Sequence, residues 1–355
     1  MQERQSAQPM TEGARGGPPP SWSEEPAAPA PRSDRELVVG CVVDAPAEVV
    51  FRALTEAEHL RHWWGPFGFR NTFQELESRT GGRWRFTMHG PDGKDWPNLI
   101  EFHAVQAPAR LAFRHGSGVP GEPTHEVEIT LEAHPRGTRV TLRQTHETAA
   151  RAAEVAKYAL EGGAQTMTRL QGYVASMRER ASAEVLEGVP PGTEADDFVV
   201  VRAFEASREQ MFRVLTEPAH LEKWFGPAGM GLRVLRSELR PGGWMRYAMK
   251  PGPDEMYGRF VYRLVIAPER LAYVVSFTDA AGEPARHPMS ATWPLEVLAI
   301  ATLTEHQGKT LLCARSIPIH VTDEERRTFR QGHEGMTQGF AGTYDQLDQY
   351  LRALE

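Results

Sequence analysis

The chain has only two cysteines in 355 residues, Cys41 and Cys313. They fall in different halves, both in apolar strand-like runs, so they read as reduced, buried small side chains with no disulfide framework. That usage fits a reducing cytoplasm, the expected location. Long apolar runs are missing too: nothing approaches the ~18 residues that a membrane span needs. The first residues lack an apolar core, so no secretory signal is expected. Positive charge is not in excess. With 40 Lys+Arg against 47 Asp+Glu, the net charge of −7 argues against a protein that holds nucleic acid by neutralising phosphates.

Catalytic signatures are equally scarce. There is no GxSxG, no Walker loop, no dinucleotide fingerprint, no HExxH and no paired CxxC. No cofactor and no metal is expected. The spans "EGGAQ" and "RPGGW" read as glycine turns, not phosphate cradles. Large apolar residues are nearly absent from positions 1–34, which are rich in Pro, Gly, Ala and Ser. Such a segment cannot offset its ordering entropy and is expected to be disordered.

What the chain does have is a repeated phrase. "TEAEHLRHWWGPFGF" at 55–69 returns as "TEPAHLEKWFGPAGM" at 216–230. At the same offset of 161, Phe51 matches Phe212, Leu54 matches Leu215 and Gly81-Gly82 match Gly242-Gly243. One residue is then lost, and "PARLAF" (108–113) matches "PERLAY" (268–273). The period is far too long for a solenoid unit. It implies two copies of a whole domain, at 35–180 and 196–355, joined by a linker at 181–195 with the Pro/Gly composition of a connector.

Within each copy the patterns agree. "RELVVGCVV" and "DDFVVVRAF" open as strands. "AEVVFRALT" and "REQMFRVLT" space their apolar residues as helices, and the repeated phrase supplies a second short helix ending at Gly-Pro. Period-two runs follow, and "HEVEITLEA" alternates cleanly, with Val127, Ile129 and Leu131 inward and Glu126, Glu128 and Glu132 outward. A long helical stretch closes each copy, at 149–180 and 322–353. The expected class is therefore α+β: each copy a curved antiparallel sheet of strands wrapped around one long C-terminal helix, with two short helices between first and second strands.

The phrase "TEAEHLRHWWGP", the later "GGRWRF" and "PARLAF", and the closing helix resemble the START-like (SRPBCC) superfamily, in the branch similar to the C-terminal domain of the heat-shock-protein ATPase activator. "RHPMSATWPLE" (286–296) and "EGMTQGFAGTYDQLDQYL" (334–351) resemble wordings of bacterial members. The resemblance spans about nine-tenths of the chain. It implies a helix-grip fold with an internal cavity. It further implies a small apolar or amphipathic ligand held without catalysis in one or both domains. A heat-shock chaperone is the alternative partner, and a cyclase or hydrolase acting in the first cavity the second alternative.

The candidate residues follow. Trp84, Phe86 and Met88 share one strand face, with Met245, Tyr247 and Met249 as counterparts; they point toward the helix where such a cavity lies, and either line it or fill it. His59 and His220 could act as bases, but each stands in otherwise apolar punctuation, which favours hydrogen bonding within a helix turn. Trp63, Trp64, Trp224 and Phe225 could stack on a ligand. Burying one Trp removes ~200 Å² from water, on the order of 5 kcal/mol before costs, so packing alone accounts for them. His89, His103, His115, His125, His134 and His146 scatter through the first copy; His115 aligns with Val275. His146, on the same side of its strand as Val140 and Leu142, is the one modest catalytic candidate, and Pro318 takes its place in the second copy. Arg143 and Arg315 sit at aligned positions of the last strand and could anchor a carboxylate, though strand parity turns them outward.

Overall fold

The computed structural model describes residues 28–181, 187–189, 194–226, 230–249, 255–288 and 290–354. Most of the expected disordered segment, and most of the linker, lie outside the described residues. The first half runs β1 (Glu36–Val43), α1 (Ala47–Thr55), α2 (Ala57–Trp63), β2 (Arg70–Leu76), β3 (Arg83–His89), β4 (Asp95–Gln106), β5 (Arg110–Gly116), β6 (His125–His134), β7 (Gly137–Thr145) and α3 (Ala149–Arg180). The second half, after a 3-10 turn at Glu194–Asp196, runs β8 (Phe198–Phe204), α4 (Arg208–Thr216), α5 (Pro218–Trp224), β9 (Leu232–Ser237), β10 (Trp244–Met249), β11 (Met256–Ile266), β12 (Arg270–Thr278), β13 (Glu296–His306), β14 (Lys309–Ile319), α6 (Asp323–Gln331) and α7 (His333–Arg352).

Each half forms one seven-stranded sheet, in the orders β1-β7-β6-β5-β4-β3-β2 and β8-β14-β13-β12-β11-β10-β9. Every pairing is antiparallel, so short hairpins suffice after the one helical crossover. The register breaks at Phe102/Ala104 and again at the equivalent Tyr262/Leu264. Bulges of this kind add twist and bend the strand, which curls the sheet toward its helix. The alternation in β6 is realised: Val127, Ile129 and Leu131 are buried, and the glutamates turn away.

The repeated phrase packs in the same way twice. Trp63 Nε1 donates to Ala53 O at 2.9 Å, and Trp224 Nε1 donates to Val214 O at 2.9 Å. Each indole thereby ties its second helix onto its first while its rings enter the core. Gly65 and Gly226 follow with φ of 101° and 110°, a backbone that L side chains rarely adopt, and this swings the chain from helix into strand.

The closing helices differ from the expectation in two places. The second stretch is broken at Gly332 into α6 and α7, where Trp293 lies too close for a side chain: a Cβ there would sit 2.8 Å from its ring. "EGGAQ" is not a turn but part of the interior of α3. Gly163 lies so close to Val39 of β1 that an added methyl would be 3.0 Å from its branches, and Gly162 is similarly close to Pro66. Close packing has overridden the poor helix propensity of glycine.

The two halves are not beads on a string. α3, 32 residues and thus ~48 Å long, packs on β1 and also on β13 and β14 of the second sheet. Gly172 and Ser176 face that second sheet: Gly172 O accepts from Thr302 Oγ1 at 3.3 Å, and Ser176 Oγ accepts from Arg315 at 3.1 Å. Cys313 of β14 belongs to the core of the first half. β14 is consequently buried on both faces, Leu312 against α7 and Cys313 against α3. Both cysteines are free, as expected, and burial pushes the Cys41 thiol up to about 12.

Parity did place Arg143 and Arg315 on the outer sheet face, but neither is a surface residue. Arg143 Nη1 donates to Glu36 at 2.6 Å, and Arg315 Nη1 donates to Asp197 at 2.7 Å. Glu36 and Asp197 are themselves equivalent by the 161-residue offset, so one arginine–carboxylate pair occurs twice. In the second copy α3 covers it. Arg315 is 2 % exposed, Ser176 and the Tyr173 ring close over its guanidinium, and Arg180 shares Asp197 at 2.6 Å.

Candidate ligand cavity

The first sheet and the N-terminal half of α3 enclose a cavity of about 380 Å³. Its apolar wall is Trp64, Met88, Phe113, Val127, Leu142 and Val155. Trp96 and Tyr158, both more than half exposed, stand at its mouth. β4 to β7 supply the floor because their inward residues alternate, and α3 forms the roof through Val155, Ala159, Gly162 and Thr166. The volume is at the lower end of small-ligand pockets.

One wall is polar, built by two strands and the residue that follows a third. His115 pairs across the ladder with His125, and His146 stands one residue beyond Thr145, the last β7 partner of β6. The rings stack in file, with centroids 5.0 and 4.9 Å apart. His115 Nε2 meets Asn98 Oδ1 at 2.8 Å, but Nε2 of His125 and of His146 is buried without a partner. Burial lowers all three pKa values, His115 to about 4 and His125 to about 3; for His125 the neighbouring His115, His146 and Arg151 add to the effect. The rings are thus neutral near pH 7. Among the described residues that line the cavity there is no Asp or Glu.

The sequence-derived candidates separate. Met88 and His146 line the cavity, whereas Trp84 and Phe86 lie deeper, 0 and 1 % exposed, in the packed core. Of the two roles open to the β3 residues, Trp84 takes the filling one, within the aromatic file Trp63–Trp64–Trp84–Phe102–Phe113. Trp64, for which packing alone would account, is a wall of the cavity, while its neighbour Trp63 is wholly core. In the second half Met245 and Tyr247 are core, Met249 packs against them, and Trp224 and Phe225 join the same cluster. Among the described residues, a space of about 60 Å³ remains there beside Phe225, Tyr273, Phe340 and Tyr344.

His59 and His220 are structural, but not through their own helix turn alone. His59 Nδ1 meets Tyr173 Oη at 3.0 Å, and His220 Nδ1 meets Tyr350 Oη at 2.7 Å, each linking the short helix to the closing helix. Nε2 of each faces the glutamate three residues earlier. Glu56, Glu58 and His59 could together hold a metal ion by spacing. The second copy keeps the same His–Glu–Tyr geometry with Ala219 in place of the second acid, Glu58, which marks it as a tie between helices.

Two features were not legible in advance. Arg169 of α3 is 5 % exposed and donates to the carbonyls of Gly65, Pro66, Phe69 and His62, so it clamps the repeated phrase from behind; burial lowers its pKa to about 10. The other is a cleft of about 390 Å³ between the halves. Three of its arginines are matched by acids, Arg178 with Asp44, Arg270 with Glu179 and Arg208 with Glu269.

Two copies of a seven-stranded antiparallel sheet, each gripping a C-terminal helix, define a tandem helix-grip protein. The family model described as "Activator of Hsp90 ATPase homolog 1-like protein" matches residues 44–175 and 205–352. The chain belongs to that family. Similar solved structures include a protein from Arthrobacter aurescens, 23 % identical, covering 42 % of this chain and 91 % of its own, with a TM-score of 0.39. One from Nitrosomonas europaea is 25 % identical and covers 41 % of this chain and 97 % of its own, at TM-score 0.37. The AHSA1 protein from Silicibacter pomeroyi is 18 % identical, covering 40 % and 99 %, at 0.35. No curated protein matches the sequence significantly. Among the described residues no helix is long and apolar enough to cross a membrane.

Proposed function

We propose that the first domain binds a small apolar or amphipathic molecule in its cavity, without chemistry, and that the second domain serves as its structural partner. The observation that carries this reading is the lined space of about 380 Å³ in the first copy, against about 60 Å³ in the core pocket that described residues of the second copy form. A fold that can fill itself with Phe340 and Tyr344 has left its first copy open, and empty apolar space costs packing energy unless something occupies it. A binding role also fits a wall without the carboxylate that an acid–base pair with His146 would use. A heat-shock chaperone is the partner class that the family's description carries, and the cavity reading is independent of it.

Nile red fluorescence and native mass spectrometry test the proposal. The unaltered protein is expected to bind the dye in equimolar amount. Ala159→Trp, which puts an indole under the roof of the cavity, is expected to weaken binding by about tenfold or more, the scale on which a ligand loses most of its apolar contact. Dye binding that is unchanged in Ala159→Trp, or that follows the second domain instead, would rule the cavity out as the site.

A further inference from the structure

The three-histidine wall is not something the fold needs. At the register-equivalent positions the second copy carries Val275 opposite Val297 and Val297 opposite Pro318, on the same three strands. There the ladder is apolar and the sheet forms equally well. The first copy has instead placed three imidazoles against a cavity and left two buried ring nitrogens without partners. Buried polar atoms left unmatched cost folding energy, and the usual reason to retain them is a ligand or water that completes them.

The surroundings determine the charge of what completes them. β5 contributes His115, β6 His125 and the segment before α3 His146; β4 and β7 contribute the neutral Asn98 and Gln144. α3 contributes Arg151, whose Nη1 also reaches Glu154 at 2.9 Å. Glu126, next to His125 in the chain, is on the opposite sheet face with Arg114 and His103. The first turn of α3 has no acidic residue; its N-terminus, capped by the Thr148 hydroxyl and preceded by the exposed Glu147, adds its positive end to this wall. Behind the Gly65–Pro66 edge stands Arg169, bonded only to carbonyls in the contacts described above. A pocket with cationic and neutral donors and no lining carboxylate favours an anionic head group. At ~30 Å³ per non-hydrogen atom, the cavity holds about a dozen such atoms.

We propose that the ligand is a weakly acidic, otherwise apolar molecule of that size, its carboxylate received by His125 and His146 beside Arg151 and its chain lying along Trp64, Met88, Phe113 and Leu142; this rests on the cavity's being a ligand site. A carboxylate placed there favours the charged imidazole. In the free protein burial lowers the pKa of both His125 and His146, so binding takes up a proton. Affinity for the acid then rises as pH falls, whereas affinity for a neutral molecule of the same length does not.

Decanoate and decanol, each displacing Nile red from the full chain, separate the possibilities. Decanoate is expected to bind about tenfold or more tightly than decanol at about pH 7. Its affinity is expected to increase from about pH 8 to about pH 6, by up to tenfold per unit for one proton taken up. His125→Val, which installs the residue the second copy carries at that step, is expected to abolish both the preference and the pH dependence while circular dichroism stays unchanged. His146→Leu serves as the second variant should His125→Val misfold. Decanol binding as tightly as decanoate overturns the acidic ligand but leaves the cavity as a site. A preference for decanoate that survives both variants overturns the histidine wall as its receiver. Failure of Nile red and of both probes to bind removes the cavity reading and this one with it.

Discussion

Arg315→Ala is expected to cost the protein about 3–5 kcal/mol, because it strands a carboxylate that is almost wholly enclosed. Asp197 would keep Arg180 but lose its second cation, and Ser176 and the Tyr173 ring would face a hole where the guanidinium lay. Burial by itself would lower the pKa of Arg315, but the Tyr173 hydroxyl and Asp197 outweigh it and hold the cation in place. The loss belongs to the junction between the halves, so urea unfolding followed by tryptophan fluorescence is expected to change from one transition to two, the second sheet unfolding first. Pairing the change with Asp197→Asn is expected to return part of the loss, since the uncompensated charge is then gone. A shift below about 1 kcal/mol, the scale of an exposed pair, would show that the network contributes no more than a surface bridge.

Trp63→Ala is expected to be comparably severe, about 3–5 kcal/mol, the range for deleting a large buried aromatic. Trp63 is 0 % exposed, and its indole is the hydrogen-bonded tie between α1 and α2. Trp224→Ala is expected to do the same to the second half through the bond to Val214. Trp64→Ala provides the contrast. Its ring already borders open space, so thermal denaturation is expected to register a smaller loss, while Nile red affinity changes by more than it does in Trp63→Ala. If Trp63→Ala and Trp64→Ala lowered stability and dye binding in the same proportion, the division of the phrase into a core residue and a cavity wall would be wrong.

Much of this architecture could be read from the chain. The repeat, the order of strands and helices, and the inward set Val127, Ile129 and Leu131 all follow from local periodicity and self-similarity, which are one-dimensional signals. The cavity wall is different in kind. His115 and His125 are on separate strands and His146 just follows a third, so that only the pairing register makes them neighbours. Period two says which face a residue occupies but not which residue stands opposite. A signal was present all the same: three histidines of the first copy fall where the second has Val275, Val297 and Pro318, and such a polar-for-apolar exchange between copies marks a site. For Trp84 and Phe86 the choice between lining and filling stayed open for a related reason. Their face was correctly inward, but whether an inward side chain fills or lines space depends on how many other rings share it. The break at Gly332 and the glycines inside α3 were hidden because their cause, a tryptophan or a valine close by, comes from elsewhere in the chain.

The helix α3 completes the first half and also forms part of the floor beneath the second. Leu311, Cys313 and Arg315 lie against it, and a chain that stopped at its last turn would leave Gly172 and Ser176 facing water. Conversely, a second half made without α3 would present a greasy sheet surface of its own. Duplication produced two units of one kind, but burial has since made them unequal heirs. Synthesis from the N-terminus follows that inheritance, for the earlier unit is the template on which the later one is laid down. Neither gene half could now be transplanted alone without carrying away the other's covering.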